Sequence, residues 1–126
     1  MSVVLDSSAV LALLWEEPGS EVVAVAMPGA SISAVNFSEV VAKLTDRGLV
    51  GPEVQGLLAD LALNVVAFDE AQALEAGGLR GAARGHGLSI GDRACLALGR
   101  MRRLPVFTAD RTWLNLDAGV EIRLVR

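Results

Sequence analysis

The chain has one cysteine, Cys95, one histidine, His86, and one lysine, Lys43. A lone cysteine excludes a disulfide within the chain. Its place on an apolar helical face beside Leu96 and Leu98 favours packing over thiolate chemistry, because free cysteine is among the most buried residue types. A lone histidine between Gly85 and Gly87 excludes a histidine-built metal site and makes a poor catalytic base. Long apolar runs are also missing. The most tempting stretch, 22–38, is broken by Pro28, Gly29, Asn36 and several serines, so it does not read as a membrane helix. No basic n-region precedes the first apolar segment, so no secretory signal is visible and cytoplasmic residence is expected. Basic charge is scarce too. A net charge of −4 gives no general affinity for polyanions and no sign of the broad basic face of a nucleic-acid module.

What is present is an ordered composition, 52% apolar and 21% charged. The length suits a single domain, 1–126, burying roughly two-thirds of the surface its unfolded chain would expose. No linker or internal repeat interrupts it. Breaks at Pro18, Pro28, Gly48, Gly51, Pro52 and Pro105 divide the apolar patterning. They predict strand 2–6, helices 8–15 and 19–26, strand 31–33, helices 35–48 and 52–63, strand 65–67, helices 70–85 and 91–102, and strands 105–107 and 121–125. Gly77 and Gly78 weaken the case for the helix 70–85, since glycine costs about 1 kcal/mol against alanine inside a helix. Val40, Val41 and Leu44, with Leu57, Leu58 and Leu61, recur at helical spacing as core positions. Short apolar strands with helical crossovers predict an α/β fold with a mainly parallel sheet covered on both faces.

Four acids stand where a predicted strand ends or a predicted helix begins. Asp6 closes the run Val3-Val4-Leu5, and Asp110 follows Pro105-Val106-Phe107. Glu39 in Asn36-Phe37-Ser38-Glu39 and Asp92 in Ser89-Ile90-Gly91-Asp92 each fall in the first turn of an apolar helix. Ligands of open parallel sheets bind beyond the carboxyl ends of the strands, where such acids converge. Capping is the plain alternative at each position. Ser89 and Asp92 have capping-box spacing, Asn36 and Glu39 a looser version of it, and Asp6 or Asp110 could be simple N-caps. Together, however, the acids would repel, a like-charged pair at about 4 Å costing roughly 4 kcal/mol at an effective dielectric near 20. A cation would offset that repulsion. Carboxylates with no Cys or His cluster select hard ions, so Mg²⁺, or Mn²⁺ as its substitute, is the expected cofactor.

These segments, Leu5-Asp6-Ser7-Ser8, Val35 to Val41, Leu88 to Ala97 and Thr108 to Trp113, are similar to the four motifs of PIN-domain ribonucleases. More narrowly, the chain resembles the VapC toxins of toxin–antitoxin pairs from Val3 to the C-terminus. The resemblance implies a PIN-like three-layer α/β/α fold and a metal-dependent endoribonuclease that leaves a 5′-phosphate and a 3′-hydroxyl. It also implies a VapB-type antitoxin as partner, and a homodimer is expected.

Within that reading, metal-activated water attacks an RNA phosphodiester. Asp6, Asp92 and Asp110 hold the ion, and Glu39 binds it directly or through water. Asn36 orients a carboxylate, while Ser7 and Thr108 donate to Asp6 or Asp110. Arg93 and Arg111, each directly after a pocket acid, are candidates for gripping phosphate. Arg100, Arg102 and Arg103 complement a helix C-terminus. Leu11, Leu14 and Trp15, with Leu57, Leu58 and Leu61, offer surface for an amphipathic partner segment or pack as core. Rival functions fare less well. A haloacid-dehalogenase-type phosphatase needs a second Asp where Ser8 stands, and a receiver domain needs a late lysine that is absent here. A metal-dependent DNA nuclease and a catalytically silent PIN-like binding domain remain as alternatives, since no element of the sequence reads the 2′-hydroxyl.

Overall fold

The computed structural model describes residues 2–81 and 86–126. Its elements in chain order are β1 (Val4–Leu5), α1 (Ser7–Leu14), α2 (Ser20–Ala26), β2 (Ser31–Ser33), α3 (Ala34–Asp46), α4 (Gly51–Leu61), β3 (Asn64–Val66), α5 (Glu70–Gly78), α6 (Ile90–Arg102), β4 (Val106–Thr108) and β5 (Ile122–Leu124). A 3₁₀ turn, Arg111–Trp113, separates the last two strands. Each predicted element is present, with ends moved by a few residues. The largest difference is α5, which stops at Gly78 rather than 85, as its paired glycines foreshadow. Residues 82–85 of that predicted helix lie outside the described residues.

Five strands form one sheet in the order β3-β2-β1-β4-β5. All neighbours run parallel, with Val4 level with Ser31 on one side and with Val106 on the other. The chain steps outward from β1 through β2 to β3. The α5–α6 crossover then returns it to the far side of β1, where β4 and β5 continue outward. The direction of progression therefore reverses between β1 and β4, and a crevice is expected at the carboxyl ends of those two strands.

Strand alternation sends neighbouring side chains to opposite faces. Leu5, Ile32 and Phe107 join Val10, Val23, Val40, Leu44 and Leu58 in one core layer under α1 to α4. Val4 and Val106 join Leu79, Leu96, Leu98 and Trp113 in the other, under α5 and α6. The expected three-layer arrangement follows. Val40, Leu44 and Leu58 are buried as their spacing predicts, as is Leu11 on α1. Cys95 is wholly buried in the second layer, and burial pushes its thiol well above the ordinary range, so it serves packing. Gly99 is required by close approach, since a Cβ there would run into Val106 and stand 3.1 Å from the Leu104 carbonyl oxygen. Among the described residues no helix is long and apolar enough to cross a membrane.

Candidate active site

Asp6 emerges from β1 directly into α1, and its backbone N–H donates to the Phe107 carbonyl of β4 at 3.2 Å. The side chain caps α1. Oδ1 accepts from the Ala9 N–H at 2.9 Å and from Ser8 Oγ at 2.7 Å, and Oδ2 accepts from Thr108 Oγ1 at 2.6 Å. Both hydroxyls also accept from the chain beyond β4, Ser8 from the Ala109 N–H at 2.9 Å and Thr108 from the Asp110 N–H at 3.0 Å. Two side chains thus stitch the carboxylate to both strands at the crevice. Burial raises the Asp6 pKa from 3.8 to about 6, against the three hydrogen bonds, and the charge of Asp92 pushes the same way. Thr108 behaves as the sequence predicts. Ser8, which the sequence uses only to exclude a phosphatase, proves to be an equal partner of Asp6, and a hydroxyl two residues beyond a capping Asp is the local signal for such a bond.

Glu39 departs from its expected place. Ser33 caps α3, its Oγ accepting from the Val35 N–H at 3.2 Å, so the helix begins at Ala34 and Glu39 falls in the second turn. The pair Asn36 and Glu39 is therefore not a capping box. Asn36 is buried and its Nδ2 donates both to Glu39 Oε1 and to the Gly91 carbonyl, each at 3.0 Å, joining α3 to the first turn of α6. Ser7 also donates to Glu39 Oε1, at 3.1 Å, rather than to Asp6 or Asp110 as expected. The Asn36 Oδ1 is a buried acceptor without a partner among the described residues.

Asp92 does form the predicted capping box, accepting from the Ser89 N–H at 2.9 Å while its own N–H donates to Ser89 Oγ at 3.1 Å. Capping and site membership coexist, because one carboxylate oxygen suffices for the cap. Asp110 caps the 3₁₀ turn, accepting from the Thr112 N–H at 2.9 Å and from Thr112 Oγ1 at 2.6 Å. Among the described residues its hydrogen-bonded link to Asp6 runs through Thr108. Glu39 reaches toward both neighbours, bonded to Ser7 next to Asp6 and lying against Gly91 next to Asp92, while Asp110 stands at the end of β4, the strand paired with β1.

As the side chains stand, no three acids, histidines or cysteines among the described residues surround a common point at metal-binding distance. The donor chemistry nonetheless suits a hard cation. A carboxylate oxygen offers two lone pairs. Protein donors occupy both on Asp6 Oδ1 and both on Glu39 Oε1, leaving acceptor capacity on Asp6 Oδ2, Glu39 Oε2 and Asp92 Oδ1, with the orphaned Asn36 Oδ1 alongside Glu39. Asp6 is buried and held by its hydrogen bonds, so closing on an ion would fall to rotation of the half-buried Glu39 and Asp92 carboxylates.

The two arginines after pocket acids point elsewhere. Arg93 donates to the Ala76 carbonyl of α5 at 3.3 Å, and Arg111 to the Arg126 carbonyl at 2.8 Å. Neither pairs with any of the four acids among the described residues. Arg100 pairs with Glu75 at 3.2 Å, near the end of α6.

A parallel sheet with acids gathered at the carboxyl ends of β1 and β4 defines the class of this protein. The chain belongs to the PIN domain family, whose model matches residues 3–119. No curated protein matches it significantly by sequence. Among solved structures it is similar to a chain of a toxin–antitoxin complex from Klebsiella pneumoniae, with a TM-score of 0.76 and 16% identity over 98% of each chain. A chain of DNA-bound VapBC from Salmonella typhimurium has the same TM-score and identity, over 100% of this chain and 99% of that one. FitAcB from Neisseria gonorrhoeae gives 0.69 and 23%, over 99% and 98%. At these identities the likeness is one of fold.

Proposed function

We propose that this PIN domain is a metal-dependent endoribonuclease and the toxin of a toxin–antitoxin pair, acting in the cytoplasm as one domain spanning residues 1–126. The observation that carries the reading is the placement of Glu39 between Ser7, next to Asp6, and Gly91, next to Asp92, with unused carboxylate oxygens and no ion pair to these acids among the described residues. Asp6, Glu39, Asp92 and Asp110 would hold Mg²⁺ or Mn²⁺. When bound, such an ion acidifies water and offsets charge on the phosphate under attack.

The protein's own residues supply orientation. Ser8 and Thr108 hold Asp6 rigidly at the junction of β1 and β4, while Asn36 and Ser7 keep Glu39 turned toward the start of α6. Such outer partners commonly matter as much as the ligands they steer. Water attacking phosphorus in line with the 3′ oxygen, whose P–O bond breaks and which takes up a proton, would leave a 5′-phosphate and a 3′-hydroxyl. Matched RNA and DNA strands test the reading against a DNA nuclease and against a silent binding domain. Mg²⁺-dependent cleavage of RNA by the wild-type chain, abolished in Asp6→Asn, is expected. Cleavage of DNA alone, cleavage of neither strand, or full activity of Asp6→Asn removes it.

The toxin role draws on the fold shared with chains of toxin–antitoxin complexes. A VapB-type antitoxin is the proposed partner. An Arg or Lys inserted among the acids would replace the ion's charge, and an apolar groove of about 550 Å³ between α3 and α4, lined by Phe37, Val41, Val54, Leu58 and Val65, offers seating for an amphipathic segment. Expression of the chain alone should arrest growth, and co-expression of the neighbouring small protein should restore it. A homodimer is proposed alongside, checked by light scattering of the purified chain.

A further inference from the structure

Beyond the acid cluster, α1 and α3 run side by side in register. Ser7 meets Glu39 through a hydrogen bond. One turn along each helix stand Leu11 and Lys43, and one turn further Trp15 and Arg47, whose guanidinium carbon lies 3.9 Å from the Trp15 ring centroid. Residues four apart share a helix face, so each helix carries one continuous line leading away from the acids. At its far end opens a cavity of about 340 Å³ lined by Leu11, Trp15, Lys43, Asp46 and Arg47. Lys43 and Arg47 are exposed and enter no ion pair among the described residues.

We propose that this cavity is a subsite for single-stranded RNA, with Lys43 and Arg47 taking phosphate and the stack of Arg47 on Trp15 taking a base. It deepens, and rests on, the ribonuclease reading of the acid cluster. The physical need is plain. A chain of net charge −4 with gathered carboxylates repels a polyanion, so positive charge where the strand leaves the cluster helps to hold it. Lys43 and Arg47 outnumber Asp46 there. Arg47 is already seated on an aromatic face, so it loses less freedom on engaging a phosphate or a base than a free side chain would. Unpaired bases stack on aromatic rings and on guanidinium planes, which a duplex does not permit. The distance also fits, because eight helical residues span about 12 Å. That is a few nucleotides at the roughly 3.4 Å per-strand spacing of stacked bases. An acidic protein segment is the rival occupant.

The test measures binding of a fluorescein-labelled oligouridylate by anisotropy, in Mg²⁺ over a NaCl series, using the Asp6→Asn chain so that the probe survives. Adding Lys43→Ala with Arg47→Ala should weaken binding at least about 10-fold at low salt. It should also flatten the logarithmic salt slope by about 1.4, at about 0.7 per phosphate contact on a single strand. Arg102→Ala with Arg103→Ala makes the same charge change at the end of α6, on the opposite face of the sheet, and should leave affinity within about two-fold. Circular dichroism confirms that both double variants remain folded. The proposal is overturned by equal losses in the two double variants, by an unchanged affinity and salt slope in the Lys43 and Arg47 pair, or by no binding of the probe to any form. It is likewise overturned if that pair loses only its co-expressed protein partner while RNA binding stands. RNA cleavage by the chain with Asp6 intact is scored separately. Asp6-dependent cleavage with an unchanged salt slope removes the subsite alone, whereas salt-sensitive binding through Lys43 and Arg47 without cleavage removes the ribonuclease reading alone.

Discussion

The carboxylate of Glu39 lies against the bare α-carbon of Gly91, so close that a methyl group there would stand 2.7 Å from Glu39 Cδ. The first turn of α6 carries a glycine where it faces α3, and the acid fills the space a side chain would have taken. Gly91→Ala should push Glu39 aside while leaving the fold intact, because the obstructing group is the end of a flexible side chain and alanine is favoured over glycine in a helix by up to about 1 kcal/mol. Expected is a melting temperature equal to or above that of the parent, with Mg²⁺-dependent cleavage reduced at least ten-fold. A large loss of stability would show that the contact is structural rather than a feature of the site.

Asp6 has a folded pKa of about 6, above its unfolded value of 3.8. The folded state therefore holds the proton more tightly, so metal-free stability is highest below about pH 4 as far as this group is concerned, and falls as pH rises to about 6. At about 1.4 kcal/mol per pKa unit the loss approaches 3 kcal/mol at full burial. Asp6→Asn should remove this slope, with Oδ1 still accepting from Ser8 and Ala9. Urea unfolding in chelator at pH 4.5 and pH 7.5 checks it. Parallel pH dependence in the two proteins would place the titration on another group.

Thr108 donates to Asp6 Oδ2 and accepts from the Asp110 N–H while fully buried. Thr108→Val keeps the shape and orphans both partners. A destabilisation of about 1 to 3 kcal/mol is expected. Because the Thr108 hydrogen bond lowers the Asp6 pKa, its loss should also move the acid limb of the cleavage profile to higher pH. Unfolding and a pH–rate profile measured together distinguish this from simple loosening of the fold, which would leave the limb in place.

His86 lies in the turn before α6. His86→Ala should keep the cleavage rate within a few-fold of the parent. A drop of about 100-fold, with metal affinity unchanged, would place imidazole in the chemistry.

Local rules account for much of this protein. The apolar runs ending at Leu5 and Phe107, the proline breaks and the hydroxyl and carboxylate caps are short-range matters, and strand and helix positions follow from them because a cap or a break acts within a turn. The capping box of Ser89 and Asp92 could be read directly for the same reason. That Asp6, Asp92 and Asp110 stand at element ends was legible from local pattern, whereas Glu39 falls a turn further into its helix than expected, and the three-layer parallel sheet was legible from strands alternating with helices.

Tertiary structure decided the rest. Ser7 bonds Glu39 and not Asp6, Ser8 takes the place beside Asp6, and Arg93 and Arg111 turn to carbonyls of α5 and the C-terminus, because each choice depends on which element packs opposite. The reversal between β1 and β4, the seat of Glu39 on Gly91 and the alignment of Trp15 with Arg47 join residues remote in the chain. Sequence by itself determined which residues can cap, bury or ionise. Only packing determined which of them meet, since a hydrogen bond or a close contact is set by tenths of an ångström between elements whose relative placement no local pattern encodes.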